Sequence, residues 1–305
     1  MSSRRRIKKR KSRKRLAYGV IAVTFILLCF LIYFSLQHSN QPPQAAIVDQ
    51  LNFTGQSNPT FVNTCINILE SGGLTWKYYR GEDITVNFYR NLPSYGTSLI
   101  ILRVHSAIMR TENETISLLG LFTSERFSIE AAKNYREDIL HNRLVEAFFS
   151  PEERAQNKSY FGIVPKFVEE SMKGEFKDTI IIMMGCEGLG YDGLAYTDMA
   201  KAFINKGAKV YISWDGRVGV DHTDQATVCL LQHLISEKQN IGKAVEETMA
   251  EVGKDPYNST LQYYPKTAEV ENYIIPNFRG RLTMNAAYTA PTPKALKRNR
   301  YLTHE

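Results

Sequence analysis

Apolar and polar positions follow two rhythms along this chain. Five segments have strand length and an apolar or aromatic character: Ala45–Leu51, Leu74–Tyr79, Ser98–Val104, Thr179–Met184 and Ala208–Ser213. The third and fourth, Ser-Leu-Ile-Ile-Leu-Arg-Val and Thr-Ile-Ile-Ile-Met-Met, show no alternation, which predicts strands covered on both faces. Between them the apolar positions recur at helical spacing. Phe61, Val62, Cys65, Ile68 and Leu69 predict a helix stopped by Gly72-Gly73, and Val86–Leu92 predicts a second. Further helices are predicted over Leu194–Asn205, ended by Gly207, and over Thr223–Ser236 and Ile241–Glu251. Residues 116–128 read as a strand or hairpin and Phe161–Val164 as a short strand. Pro165–Met172 reads as a helix with proline in its first turn.

Strand–helix alternation over residues 45–252 predicts an α/β fold, a three-layer α/β/α sandwich on a mostly parallel sheet. Residues 129–160 are polar, charged and poorly periodic, and read as an insertion placed to cover a cleft. Residues 253–305, with Tyr263, Tyr264, Pro265 and the basic Lys294–Arg300, read as an irregular C-terminal extension.

The N-terminus follows a different logic. Ten of the first fifteen residues are Lys or Arg, and Leu16–Leu36 is an uncharged run of 21 residues. As a helix that run is about 30 Å long, the thickness of a bilayer's hydrocarbon core. Tyr18 and Tyr33 fall near its ends, where amphipathic rings favour the interface. A cleavable leader has a shorter apolar core and a nearby small-residue cut site, so residues 16–36 read as an uncleaved signal anchor. Positive charge stays inside. This predicts a single-pass type II protein in the cell membrane, with residues 1–15 as a cytoplasmic tail, 37–44 as a stalk and the rest extracellular. Four sequons, at Asn52, Asn113, Asn157 and Asn258, fall on the predicted outer side.

The charge changes meaning once the tail is set aside. The 305 residues carry +7, and removing the tail's ten positive charges leaves −3. A mildly acidic body of that kind is not a nucleic-acid binder. Of four cysteines, Cys29 lies in the membrane run, and Cys65 and Cys229 sit on apolar helix faces. No spacing suggests a zinc site or a disulfide framework, and no cofactor is expected.

Cys186 is the cysteine left over. It follows the fourth strand directly, in Met-Gly-Cys-Glu-Gly, where flanking glycines present a thiol to a cleft. The plainer reading is a small buried hydrophobe. The third strand ends in His105. In a parallel sheet both strand ends lie at one edge, so imidazole and thiol can reach one substrate carbonyl. The imidazole would take the thiol's proton and later protonate the leaving amine. Backbone N–H groups in the glycine-flanked turns would hold the oxyanion. Gly185-Cys-Glu-Gly-Leu-Gly190 superficially suggests a phosphate loop, but its spacing is not G-x-G-x-x-G.

Leu99-Ile-Ile-Leu-Arg-Val-His105, Ile180-Ile-Ile-Met-Met-Gly-Cys186 and the block Lys206-Gly-Ala-Lys-Val-Tyr-Ile-Ser-Trp214, then Asp221 and Thr223-Asp224, together resemble the caspase-like cysteine peptidases of clan CD, nearest the gingipain and CHAT-type branch. The resemblance covers roughly residues 45–252. It implies a cysteine endopeptidase acting on peptide or protein substrates, with His105 as general base, Cys186 as nucleophile, and the N–H groups of Ser106 and Cys186 as oxyanion donors. Three features depart from the family: Ser106 stands where glycine commonly follows the histidine, the cysteine lacks the caspase Gln-Ala-Cys context, and the 81 residues from His105 to Cys186 exceed the caspase separation, which fits the insertion. In this family the loop after the fifth strand often lines the pocket for the residue before the cut. Trp214 as a wall and Asp215 as an anionic base would then favour Arg or Lys; equally, Asp215 caps an Asp-Gly turn and Trp214 is packing. Glu187, Asp192 and Asp221 are rivals for the acidic role. The alternative function is a catalytically inactive CHAT-like or pseudo-peptidase interaction module at the cell surface.

Overall fold

The computed structural model describes residues 23–30, 44–110 and 116–276 of the 305. Residues 23–30 of the predicted anchor are helical and exposed. The rest of residues 16–36, the basic tail, residues 37–43 of the stalk and Asn113 lie outside the described residues. Among the described residues, no helix is long and apolar enough to cross a membrane.

The strands are β1 (Gln44–Asp49), β2 (Thr75–Arg80), β3 (Thr97–Arg103), β4 (Ser106–Arg110), β5 (Ile116–Arg126), β6 (Leu144–Ala147) and β7 (Tyr160–Ile163). They continue as β8 (Thr179–Met183), β9 (Gly190–Tyr191), β10 (Leu194–Ala195), β11 (Ala208–Trp214) and β12 (Leu261–Tyr264). Six form the central sheet, in the order β12-β11-β8-β3-β1-β2. Its five predicted strands are mutually parallel, and β12 pairs antiparallel with β11 at one edge. The mostly parallel α/β expectation therefore holds.

Unalternating strands divide their side chains between two cores. Ile47, Leu99, Ile101, Ile180, Ile182 and Ile212 face one core, shared with helices Pro59–Ser71, Val220–Leu231 and Ile241–Val252. Val48, Ile100, Leu102, Ile181, Met183 and Tyr211 face the other, with helices Val86–Asn91, Pro165–Glu170 and Asp198–Asn205. Local chemistry fixes the helix starts. Asn58 Oδ1 accepts the Phe61 N–H at 3.0 Å ahead of Pro59 at the first helical position, and Thr85 Oγ1 accepts that of Phe88 at 3.1 Å.

Three expectations need correction. The helix predicted from Leu194 begins at Asp198, because Leu194 and Ala195 pair back on Tyr191 and Gly190 across the Asp192-Gly193 turn. Asp192 there has φ +49° and Gly193 φ +78°, so turn chemistry overrides the helical spacing. The segment 129–160, read as poorly periodic, supplies β6 to a second, four-stranded antiparallel sheet of order β4-β5-β7-β6. The extension read as irregular from residue 253 contributes β12, the central sheet's sixth strand.

Chain reversal places the site. From β1 the sheet grows one way to β2 and the other way to β3, β8 and β11. Strand ends on either side of such a reversal leave a crevice beyond their carboxyl edge. Gln50, His105 and Cys186 follow β1, β3 and β8 at that edge.

Candidate active site

β3 and β8 are neighbours in register, with Leu102 paired to Met183. Val104-His105 and Met184-Gly185-Cys186 therefore leave the sheet side by side, and the Met184 N–H donates to Leu102 O at 2.9 Å. The two exits are closely packed. A Cβ on Gly185 would sit 2.6 Å from Val104 O and would overlap Ser106 Oγ, so only glycine fits. Across this gap Ser106 Oγ donates to Cys186 O at 2.6 Å. Ser106 was expected to act through its N–H; its side chain makes the link between the histidine and cysteine turns.

His105 is half-buried. Its N–H donates to Gln50 Oε1 at 3.0 Å, and Nε2 lies 3.5 Å from Thr54 Oγ1. The Thr54 hydroxyl already donates to Leu51 O, so it can accept from the ring. Phe149 and Phe122 stand beside the imidazole, with centroids 5.2 and 6.1 Å away. Burial first, and then the Arg103 cation two residues earlier, push the imidazole down to about 4 from an ordinary 6.5. The ring is neutral at pH 7.

Cys186 is also half-buried, and its thiol donates to Val218 O at 3.6 Å. Burial is the main reason the thiol is pushed above its ordinary value. Thiol and imidazole have these separate partners and are not hydrogen-bonded to each other. At rest the thiol and the imidazole are thus both neutral, each with its own partner, and the sulfur is held at Val218 O.

Glu187, expected to touch substrate, is 5% exposed and serves the loop instead. Its Oε2 accepts the Ile108 N–H of β4 at 2.8 Å, its N–H donates to Gly216 O at 2.7 Å, and Oε1 lies 3.6 Å from Arg217 Nε. Its φ is +64°, left-handed backbone that a non-glycine residue adopts at a cost of ~1–3 kcal/mol. Such strain immediately after the cysteine is held by these bonds.

Trp214 is fully buried, in the position of a core residue and not of a pocket wall. Its Nε1–H donates to Thr223 Oγ1 at 2.9 Å, and that hydroxyl donates to Met184 O at 3.0 Å. Asp215 ties its loop to the residue that precedes β12: it accepts the Thr260 N–H at 2.6 Å and the Thr260 hydroxyl at 2.5 Å. It also borders an open polar groove of about 670 Å³, together with Asp192, Arg217, Tyr257 and Asn258. Gly216, whose carbonyl accepts the Glu187 N–H, lines the same groove; Cys186 and His105 do not. Asp192 and Asp221 are exposed. Among the described sequons, Asn157 and Asn258 are exposed at φ +51° and +67°. Asn52 is half-buried and donates to Ser57 Oγ at 2.9 Å.

Sequence reasoning missed what lies beneath the site. Arg103 is 1% exposed and bridges two buried carboxylates. Nε and Nη2 donate to Asp224 Oδ1 and Oδ2 at 2.7 and 2.9 Å, and Nη1 to Asp49 Oδ1 at 2.8 Å. A charged residue inside an otherwise apolar strand was the available signal. Phe149, which packs the insertion against His105, carried none.

No family model matches the sequence, and no curated protein does. Among solved structures it is similar to the Arg-specific cysteine proteinase gingipain R. The TM-score is 0.45 at 11% sequence identity, over 77% of this chain and 48% of that one. The chain thus spans about half the length of the proteinase it matches.

Proposed function

We propose that the chain is a cysteine endopeptidase that cleaves peptide bonds with Cys186 and His105, tethered through residues 16–36 with its α/β domain outside the cell. The supporting observation is the pairing of β3 with β8, which brings both strand exits to one edge, joined by the Ser106–Cys186 hydrogen bond. When a peptide enters, Sγ gives up Val218 O and its proton passes to the neutral imidazole. The thiolate attacks the scissile carbonyl, whose oxygen takes the negative charge against backbone N–H groups at Ser106 and Cys186. The C–N bond breaks as His105 returns the proton to the leaving amine, and water, deprotonated by the same imidazole, releases the acyl group.

A preference for Arg or Lys before the cut rests on Asp192, an exposed carboxylate on the groove that Gly216 and Arg217 also line. Asn258 also lines that groove. A glycan there would crowd it, so a working peptidase leaves this sequon bare.

One observation favours the second reading, an inactive interaction module: the thiol is held by a carbonyl and not by the imidazole. Cleavage decides between them. The full chain is incubated with a mixture of unstructured peptides and the products are mapped. New termini absent with Cys186→Ala support the peptidase; no cleavage by the wild type supports the module.

A further inference from the structure

Far from the sheet edge, soft and hard ligand atoms converge on one point. Cys229, near the end of helix Val220–Leu231, follows Val220 by nine residues, about 14 Å along the axis. His233 comes four residues later, in the π-helical turn Gln232–Ser236, and Glu251 reaches across from helix Ile241–Val252. Single π turns are frequent at functional sites, and this one closes the C-terminal end of the helix. His233 follows Cys229 at i+4, which sets imidazole and thiol on the same helix face.

Cys229 Sγ lies 3.4 Å from His233 Nε2 and 3.2 Å from Glu251 Oε2, and His233 Nε2 lies 3.1 Å from Glu251 Oε1. A tetrahedral zinc ion with ordinary bond lengths of about 2.3 Å to sulfur and about 2.0 Å to nitrogen and oxygen has ligand–ligand edges of ~3.3–3.6 Å. The 3.4 Å between sulfur and nitrogen is one such edge, and Glu251 sets one carboxylate oxygen close to each of those two atoms.

The other ring nitrogen is engaged as metal-bound histidines require. Glu237 Oε2 is 3.0 Å from Nδ1, and Glu247 Oε2 is 3.6 Å away. A carboxylate can only accept, so Nδ1 carries the proton and Nε2 turns its lone pair toward Glu251. Two acceptors 3.1 Å apart need a cation or a second ring proton between them. Cys229 and His233 are buried while the Glu251 side chain is 60% exposed, which leaves a solvent-facing path for an ion.

We propose that Cys229, His233 and Glu251 form a binding site for a zinc-class divalent transition metal. Glu237 and Glu247 orient the histidine. The ion clips helix Val220–Leu231 to helix Ile241–Val252, and its role is structural, since Cys186 and His105 lie at the other end of the first helix. Binding takes the thiol proton to solvent, leaving a thiolate bonded to the metal.

Cobalt substitution tests this directly. The full chain, stripped with chelator and kept reduced, is titrated with Co²⁺ and then Zn²⁺. The expected result is one equivalent of Co²⁺ with an intense near-ultraviolet thiolate-to-cobalt band, displaced by zinc. Cys229→Ser loses the band, and Glu237→Gln weakens binding ~10–100-fold. Glu251→Gln, at an exposed side chain that folding tolerates, lowers affinity and removes the zinc-induced rise in Tm. The proposal is overturned by absence of the band in wild type, which leaves an imidazolium–carboxylate pair only. It is also overturned by a band that survives Cys229→Ser, or by unchanged affinity in Glu251→Gln.

Discussion

Arg103 is the residue whose removal the structure prices most clearly. Substituting methionine keeps the stem's volume but deletes a guanidinium that makes three bonds to carboxylates and a fourth, from Nη1 to Gln56 O at 2.8 Å. Asp49 would keep Tyr78 OH and the Asn52 N–H, and Asp224 would keep Asn58 Nδ2. Both anions would remain at 0% and 4% exposure with no cation beside them. Removing one partner of a buried ion pair costs about 3–5 kcal/mol, because the group left behind stays desolvated. With a urea m-value of ~2–3 kcal/mol/M for a domain of this size, the midpoint falls by about 1–2 M. The assay is urea unfolding of the full chain at pH 7, followed by far-ultraviolet circular dichroism. The triple variant Arg103→Met, Asp49→Asn, Asp224→Asn should be more stable than Arg103→Met alone, since it removes the stranded charges with their partner. A loss below 1 kcal/mol for the single variant, or a triple variant no better than it, would refute the reasoning.

Two further outcomes follow from the site. His105 titrates near 4 in the fold against 6.5 when unfolded, so the fold disfavours its protonated form. Its contribution is complete above pH 6.5, is lost as pH falls from 6.5 to about 4, and amounts to at most about 3 kcal/mol. The stability difference between wild type and His105→Gln should shrink across that window; a constant difference would contradict it. Gly185→Ala forces a methyl against Val104 O, a backbone atom with no rotamer to yield. It should cost ~1–3 kcal/mol in thermal unfolding, whereas a variant as stable as wild type would show that the strand exits are looser than described.

Much of this was legible in the sequence because both signals are strong where a sheet is covered twice. Thr179–Met184 and Ser98–Val104 contain every residue of their strands' apolar cores, and the residues just beyond them mark the sheet edge. β12 was not legible: Leu-Gln-Tyr-Tyr is four residues long, followed directly by Pro265, and gains its strand character only from pairing with β11. Trp214 and Asp215 were open between pocket and packing because both readings need the same residues after the same strand. Only Thr223 and Thr260, 9 and 45 residues away, make Trp214 a core residue and Asp215 a tie to the segment before β12. The cluster of Cys229, His233 and Glu251 was hidden for a related reason. The i, i+4 spacing sets Cys229 and His233 on one face, but nothing local brings in Glu251 from the next helix.

Covalent labelling of Cys186 tests the central claim most directly. The full chain is treated at pH 7 with an acyloxymethyl ketone carrying a peptide that ends in Arg or Lys, and the adduct is located by mass spectrometry. The account predicts one adduct, on Cys186, absent in Cys186→Ala and strongly reduced in His105→Ala. An unlabelled Cys186 in folded wild type, or labelling indifferent to His105, would contradict it.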